Sequence, residues 1–217
     1  MTPHTRRSEP DRDGFGEIQR RFEEMLEDGR HAFDAAANAL LGGTDPTVIK
    51  DDLFATDRRI NRTEQDLRRK LVVHGAVHGP SHFPHLLVLM SLAKDAERIG
   101  DYAKNLYDLA VARPWLGDEA ERRELVALKD RVSRVLVRAR GLYELEDAAA
   151  ARTFLAECHQ LEDSCDERID RALAVEGRNA AGLALACRYF KRVVSHASNV
   201  ITSLVVPLDK LDFYDEG

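Results

Sequence analysis

Residues 95–106 read Asp95-Ala96-Glu97-Arg98-Ile99-Gly100-Asp101-Tyr102-Ala103-Lys104-Asn105-Leu106. Ala96, Ile99, Gly100, Ala103 and Leu106 recur at steps of three and four, the period of a helix with one buried stripe. The small residues Ala96, Gly100 and Ala103 let a neighbouring helix approach closely. Glu97 and Asp101 are four apart, so their carboxylates stack on one helix face, beside that stripe.

The same period extends in both directions. This third segment starts near Pro84, runs through Leu89 and Ala93 to Ala110, and stops at Pro114. Before it, Phe15, Ile18, Phe22, Met25, Gly29, Ala32 and Ala36 mark a first segment that ends at Gly42-Gly43, a good helix stop. Thr44-Asp45-Pro46 then supplies a cap with proline in the first turn. A second segment carries Ile49, Leu53, Ile60, Leu67 and Leu71 and is expected to end near Gly75. After Pro114 come a fourth segment (Leu125 to Leu142), a fifth (Ala151 to Ile169) and a sixth (Ala186 to Leu204), the last ended by Pro207.

The two halves superpose. At an offset of 110, Phe15, Ile18, Phe22, Met25 and Gly29 fall on Leu125, Leu128, Val132, Val135 and Ala139. At 109, Asp57, Arg59, Ile60 and Asn61 fall on Asp166, Arg168, Ile169 and Asp170. At 94, Ala93, Arg98, Ile99, Ala103, Asn105 and Leu106 fall on Cys187, Arg192, Val193, Ala197, Asn199 and Val200. Polar positions match as well, which amphipathicity alone would not force. The fall from 109 to 94 means that the second half lacks 15 residues where the first has VVHGAVHGPSHFPHL, residues 72–86. Shared between two hairpin arms, the loss shortens each by about two turns. The expectation is an all-α fold of two tandem three-helix bundles, residues 14–113 and 118–207, with the second repeat shortened and the two packed together. Residues 1–13 read as a disordered leader and 208–217 as a tail.

Composition sets further bounds. Of 217 residues, 44% are hydrophobic and 32% charged, which suits a globular protein built from amphipathic helices. The net charge of −6 argues against a nucleic-acid partner. No apolar run reaches the ~20 residues of a membrane-spanning helix, so an integral membrane protein is not expected. Cys158, Cys165 and Cys187 are odd in number and in no metal spacing; they read as buried core thiols in a reducing cytoplasm.

The third segment resembles the signature of PhoU proteins, in which E-R-I-G-D-x-A-x-N closes the third helix of a repeat. Asp57-Arg58-Arg59-Ile60-Asn61-Arg62-Thr63-Glu64 is similar to that family's D-x-x-I-[DN]-x-x-E on the second helix. The resemblance spans the chain from about Phe15 to Leu204. It implies a non-enzymatic cytoplasmic regulator of phosphate uptake, an adaptor between a phosphate transporter component and a sensor histidine kinase, and makes a homodimer reasonable. It also implies that acidic side chains of the bundle surface hold iron, zinc or another divalent or trivalent ion. In this sequence the ligand set would be Glu97, Asp101, Asp57, Asn61 and Glu64. The spacing alone favours a solvated surface on which Glu97 and Asp101 pair with Arg98, Lys94 or Arg58.

The second repeat departs from the motif. Lys191 stands where the first repeat has Glu97, and Ser195 where it has Asp101. Lys191 is expected to reach Asp166 or Asp170, its ammonium standing in for an ion, so that cation binding is confined to one site or cluster on the first repeat. His74, His78, His82 and His85 form a further cluster, read as a turn with solvent-exposed histidines because Gly79-Pro80 breaks the helix between His78 and His82. His196 reads as a surface or interface residue. Arg131, Arg134, Arg138 and Arg140 read as a solvated or partner-facing face, and Trp115 as a pin between the bundles. No phosphate-cradling glycine loop or nucleophile elbow is present. Other classes compatible with the sequence are an accessory protein of another anion or phosphate transporter, a ferritin-like metal-binding bundle and a plain helical scaffold. The ferritin-like reading lacks an E-x-x-H on the third or sixth segment.

Overall fold

The structure is a computed structural model that describes residues 14–113, 116–174 and 180–211. Among the described residues it contains no strand and six long helices: α1 (Phe15–Leu41), α2 (Pro46–His78), α3 (Phe83–Ala112), α4 (Glu119–Leu145), α5 (Ala148–Leu173) and α6 (Ala180–Thr202). Short 3-10 turns follow α2 at Pro80–His82 and α6 at Leu208–Lys210. The expected leader, Pro114, Trp115 and the last six residues of the tail lie outside the described residues.

Local chemistry explains the starts of α2, α4 and α5. The Asp45 carboxylate accepts from the Thr47 amide at 2.9 Å with Pro46 at the first helical position. Asp118 and Glu121 form a reciprocal capping box at α4, and Asp147 caps α5 through the Ala149 and Ala150 amides. One expected boundary is corrected. α2 does not end near Gly75 but continues to His78, and Gly75 is buried within it. A Cβ there would sit 2.9 Å from Phe83 Cε1 and 3.0 Å from Leu86 Cδ1, so this glycine permits close approach of α3 rather than stopping a helix.

Each repeat is a three-helix unit. α1, α2 and α3 pack on one another in the first, and α6 packs against both α5 and α4 in the second. α5 and α6 have 26 and 23 residues, against 33 and 30 in α2 and α3, so each arm of the second hairpin is shorter by about two turns. The repeats join through α3 on α6 and α1 on α4. A single continuous core runs through all six helices, with Phe22, Phe33, Phe154 and Phe190 fully buried. The Phe33 and Phe190 rings meet edge to face at 5.8 Å between repeats.

The offset of 94 shows how α3 and α6 cross. Asp95 touches His196, and Tyr102 touches Tyr189. At that offset Asp95 corresponds to Tyr189 and Tyr102 to His196. Each contact is therefore the mate of the other about a local two-fold axis between the repeats.

Candidate functional site

The buried stripes of α2 and α3 face each other, which brings the polar residues beside them to a shared seam. Ile60 lies against Gly100, where an added Cβ would meet its Cδ1 at 2.9 Å. This close approach sets Asp57 and Glu64 of α2 beside Asp101 and Glu97 of α3. Lys104 bridges the two helices, with its Nζ 2.8 Å from Asp57 Oδ1 and 3.2 Å from Asp101 Oδ1. Arg98 adds a hydrogen bond to Asp101 at 3.1 Å. Asn61 donates to Asp57 at 3.4 Å, so it sits beside the bridge rather than in it.

One turn along, Glu97 is mostly buried and accepts a hydrogen bond from Lys94 Nζ at 2.6 Å. Burial pushes its carboxyl above the usual carboxylate range, and the charges of Asp101 and Glu64 add to the rise, against the pull of Lys94. Arg68 approaches Glu64 Oε1 at 2.7 Å as an ion pair, yet this buried oxygen has no donor aligned for a hydrogen bond. The seam is thus a strip of partly desolvated carboxylates neutralised by ammonium and guanidinium groups. Lys104 occupies the centre of the strip. The sequence reading gave Lys104 no role, although its place three residues after Asp101 puts it within reach.

The acidic strip partly fits an ion. The raised Glu97 carboxyl and the unaligned Glu64 oxygen are donors that a cation would satisfy. The Asp57–Asp101 end is already neutralised by Lys104, and no three of the four candidate carboxylates, Glu97, Asp101, Asp57 and Glu64, bring oxygens within 4.8 Å of one another.

In the second repeat, Lys191 donates to Asp166 across the α5–α6 seam. Asp170, one turn on, is exposed and is not the partner taken. Ser195 donates to Glu162 at 2.6 Å, a residue outside the repeated motif. Between the repeats, His196 is buried: its Nδ1 donates to Asp95 Oδ1 at 2.8 Å, and Asn199 Nδ2 donates to the same oxygen at 2.9 Å. Tyr102 stacks on His196 and accepts from Arg192 Nε at 3.2 Å. His196 is an interface residue, held as a structural donor. Arg131, Arg134, Arg138 and Arg140 are exposed; Arg138 pairs with Glu157 of α5 and lies over the Phe154 ring, and Arg140 lies 3.7 Å from Glu27 of α1.

The three cysteines are reduced and buried. Burial pushes the thiols of Cys158 and Cys165 up to about 12 and that of Cys187 to about 11, which makes them packing groups rather than nucleophiles.

The histidine cluster requires a correction. His74 is buried, not solvent-exposed, and the break at Gly79-Pro80 brings His82 back to it instead of separating the two. His74, His78 and His82 place their ligating nitrogens within 4.8 Å of one another, the one group of three or more histidine, cysteine or acidic residues so arranged among the described residues. The signal available in sequence was the spacing of four between His74 and His78. His85 lies outside the group and is exposed.

Six helices in two unequal repeats, joined about a local two-fold axis and carrying a polar seam in each hairpin, define a duplicated helical-bundle protein. Residues 22–110, which hold α2, most of α1 and nearly all of α3, match the family model described as the PhoU domain. The match supports the resemblance to PhoU proteins over 89 of the 217 residues. The solved structure of PhoU from Pseudomonas aeruginosa is similar to it with a TM-score of 0.75 and 17% sequence identity, covering 88% of this chain and 95% of that one. The phosphate transport system regulatory protein PhoU from Streptococcus pneumoniae is similar with a TM-score of 0.67 and 17% identity, covering 91% and 94%. At these identities the likeness establishes the fold, across both repeats. No curated protein sequence matches the chain. No helix among the described residues is long and apolar enough to cross a membrane.

Proposed function

We propose that this chain is a non-enzymatic regulator of phosphate uptake and phosphate signalling, working in the cytoplasm as an adaptor between a phosphate transporter component and a sensor histidine kinase. The observation that carries the reading is the PhoU domain over residues 22–110, which contains the whole Glu97–Asn105 motif on a well-packed α3. The described residues offer long helix faces and a shared core, and their strongly perturbed thiols are shut inside it, an arrangement suited to docking rather than to covalent chemistry.

In this reading the α2–α3 seam tunes the docking surface. Glu97, Asp101, Asp57, Asn61 and Glu64 would hold a divalent or trivalent ion when Lys104 swings away. The ion would supply positive charge to the crowded carboxylates and tie α2 to α3. In the second repeat Lys191 on Asp166 fills the corresponding place with a fixed ammonium, so that seam is independent of ion supply. The shortened α5 and α6 favour one variant of the reading, an accessory protein for a different phosphate or anion transporter, because the missing turns remove part of the surface a partner would meet.

Affinity purification of the full chain from its native cells, with identification of the co-purifying proteins, tests the proposal. Recovery of a phosphate transporter subunit or a histidine kinase is expected. Recovery of a transporter for another anion would favour the variant, and recovery of neither class would count heavily against the reading.

A further inference from the structure

The two turns that only the first hairpin possesses carry a site of their own. α2 runs to His78, Gly79 adopts φ 83°, and the turn Pro80–His82 leads into α3. This path folds His82 back onto the face of α2 that bears His74 and His78. His74 Nε2 and His82 Nδ1 stand 3.2 Å apart. The His74 and His78 rings, one helical turn apart, stack with centroids at 4.2 Å, and the His82 ring centroid lies 5.1 Å from the first and 5.4 Å from the second. His74 is buried with the Phe15 ring 5.5 Å away, His82 is half-buried and His78 is exposed.

The geometry points to a transition-metal site, of the class that takes Zn²⁺, formed by His74, His78 and His82 and separate from the acidic seam. Tetrahedral zinc with bonds of ~2.0–2.1 Å to nitrogen needs its ligand atoms about 3.4 Å apart. The His74–His82 pair already has that separation, and the third nitrogen is within 4.8 Å. His78 is exposed, so a rotation of its side chain closes the set without moving the core. Three imidazoles select zinc, cobalt, nickel or copper over magnesium or calcium, which prefer oxygen. Three protein ligands leave the fourth position for water, on the solvent side where His78 stands. The seam lies elsewhere: His74 is ten residues beyond Glu64 on the same helix, about 15 Å along it. Residues 72–86 have no counterpart in the second repeat, and among the described residues no other such group occurs. The ion would clip the end of α2 to the turn before α3, fixing a hairpin tip whose Val73, Val77, Phe83 and Leu87 are exposed.

The test uses tag-free full-length chain, stripped with chelator and titrated with Zn²⁺ by calorimetry and with Co²⁺ by visible absorption. Expected are one histidine-dependent equivalent per chain, the intense visible bands of four-coordinate cobalt, and a rise in thermal midpoint with Zn²⁺. His78→Ala and His82→Ala alter side chains outside the core, so they leave the far-UV spectrum of the metal-free chain unchanged. Each lowers the Zn²⁺ affinity at least about tenfold, the loss that removal of even an outer-shell partner brings. Glu97→Ala/Asp101→Ala keeps the cobalt bands intact, whatever its effect on partner binding, so the fate of this site and that of the proposed adaptor role are read separately. No Zn²⁺ binding up to high micromolar concentration would overturn the proposal. So would wild-type affinity in both histidine variants, or cobalt bands lost in the acidic variant and kept in the histidine ones.

Discussion

Glu97 shows how burial ties the protonation of one side chain to the fold. It lies among carboxylates in a partly dry seam, and the folded chain holds a proton on it to higher pH than the unfolded chain, whose ordinary value is 4.5. A carboxyl raised in this way contributes stability below its unfolded value, and that contribution is lost as pH rises through the folded one. Glu97→Gln removes the titration and keeps a hydrogen-bond acceptor for Lys94. The variant should therefore gain stability relative to the wild type as pH rises from below 4.5 toward neutrality. Urea melts of both proteins across that range check this, and a difference that stays constant with pH would refute it. The motif made Glu97 conspicuous in the sequence. Its raised carboxyl was not legible there, because it comes chiefly from burial by the packed helices, with the charges of Asp101 and of Glu64 on another helix adding to it.

α3 and α6 carry the joint between the repeats, and the joint is polar at its centre. A carboxylate can only accept, so His196 donates to Asp95 from Nδ1, which leaves Nε2 to face Arg192 Nη2 at 3.4 Å. Asn199 donates to the same Asp95 oxygen. Asp95→Ala would leave the buried His196 and its neighbour Asn199 without their shared acceptor. Stranding a buried donor costs about 1–3 kcal/mol, and a loss of that order is expected in chemical denaturation. Asp95→Asn, which retains a side-chain oxygen, should lose less. Equal loss in both variants would show that negative charge, rather than hydrogen-bond acceptance, matters at this joint. The pairing was invisible in the sequence because its partners are 101 residues apart, and neither matched position in the other repeat has the same side chain.

The two repeats share one core, so the molecule should unfold as a unit. α3 buries one face against α1 and α2 and another against α6, while α1 supports α4. Separating the repeats would expose Phe33 and Phe190 to water together, and truncating a buried phenylalanine to alanine costs about 3–5 kcal/mol. Far-UV and near-UV circular dichroism should report one coincident urea transition. Two separated transitions would show that the repeats are independent domains.

The sequence alone determined the helices, their order, the duplication and the shortening of the second hairpin. These follow from the spacing of apolar side chains and from proline and glycine punctuation, and both act over a few neighbouring residues. It also located the acidic motif, since side chains four apart on a helix must share a face. Tertiary structure decided where those faces point and what meets them. Packing of α2 on α3 put Lys104 between Asp57 and Asp101, and that of α5 on α6 set Lys191 on Asp166 rather than Asp170. The turn at Gly79 returned His82 to a buried His74, where the sequence suggested an exposed loop. Charge, burial and ligand geometry depend on atoms from separate segments meeting within a few ångströms, and only the folded chain brings those atoms together.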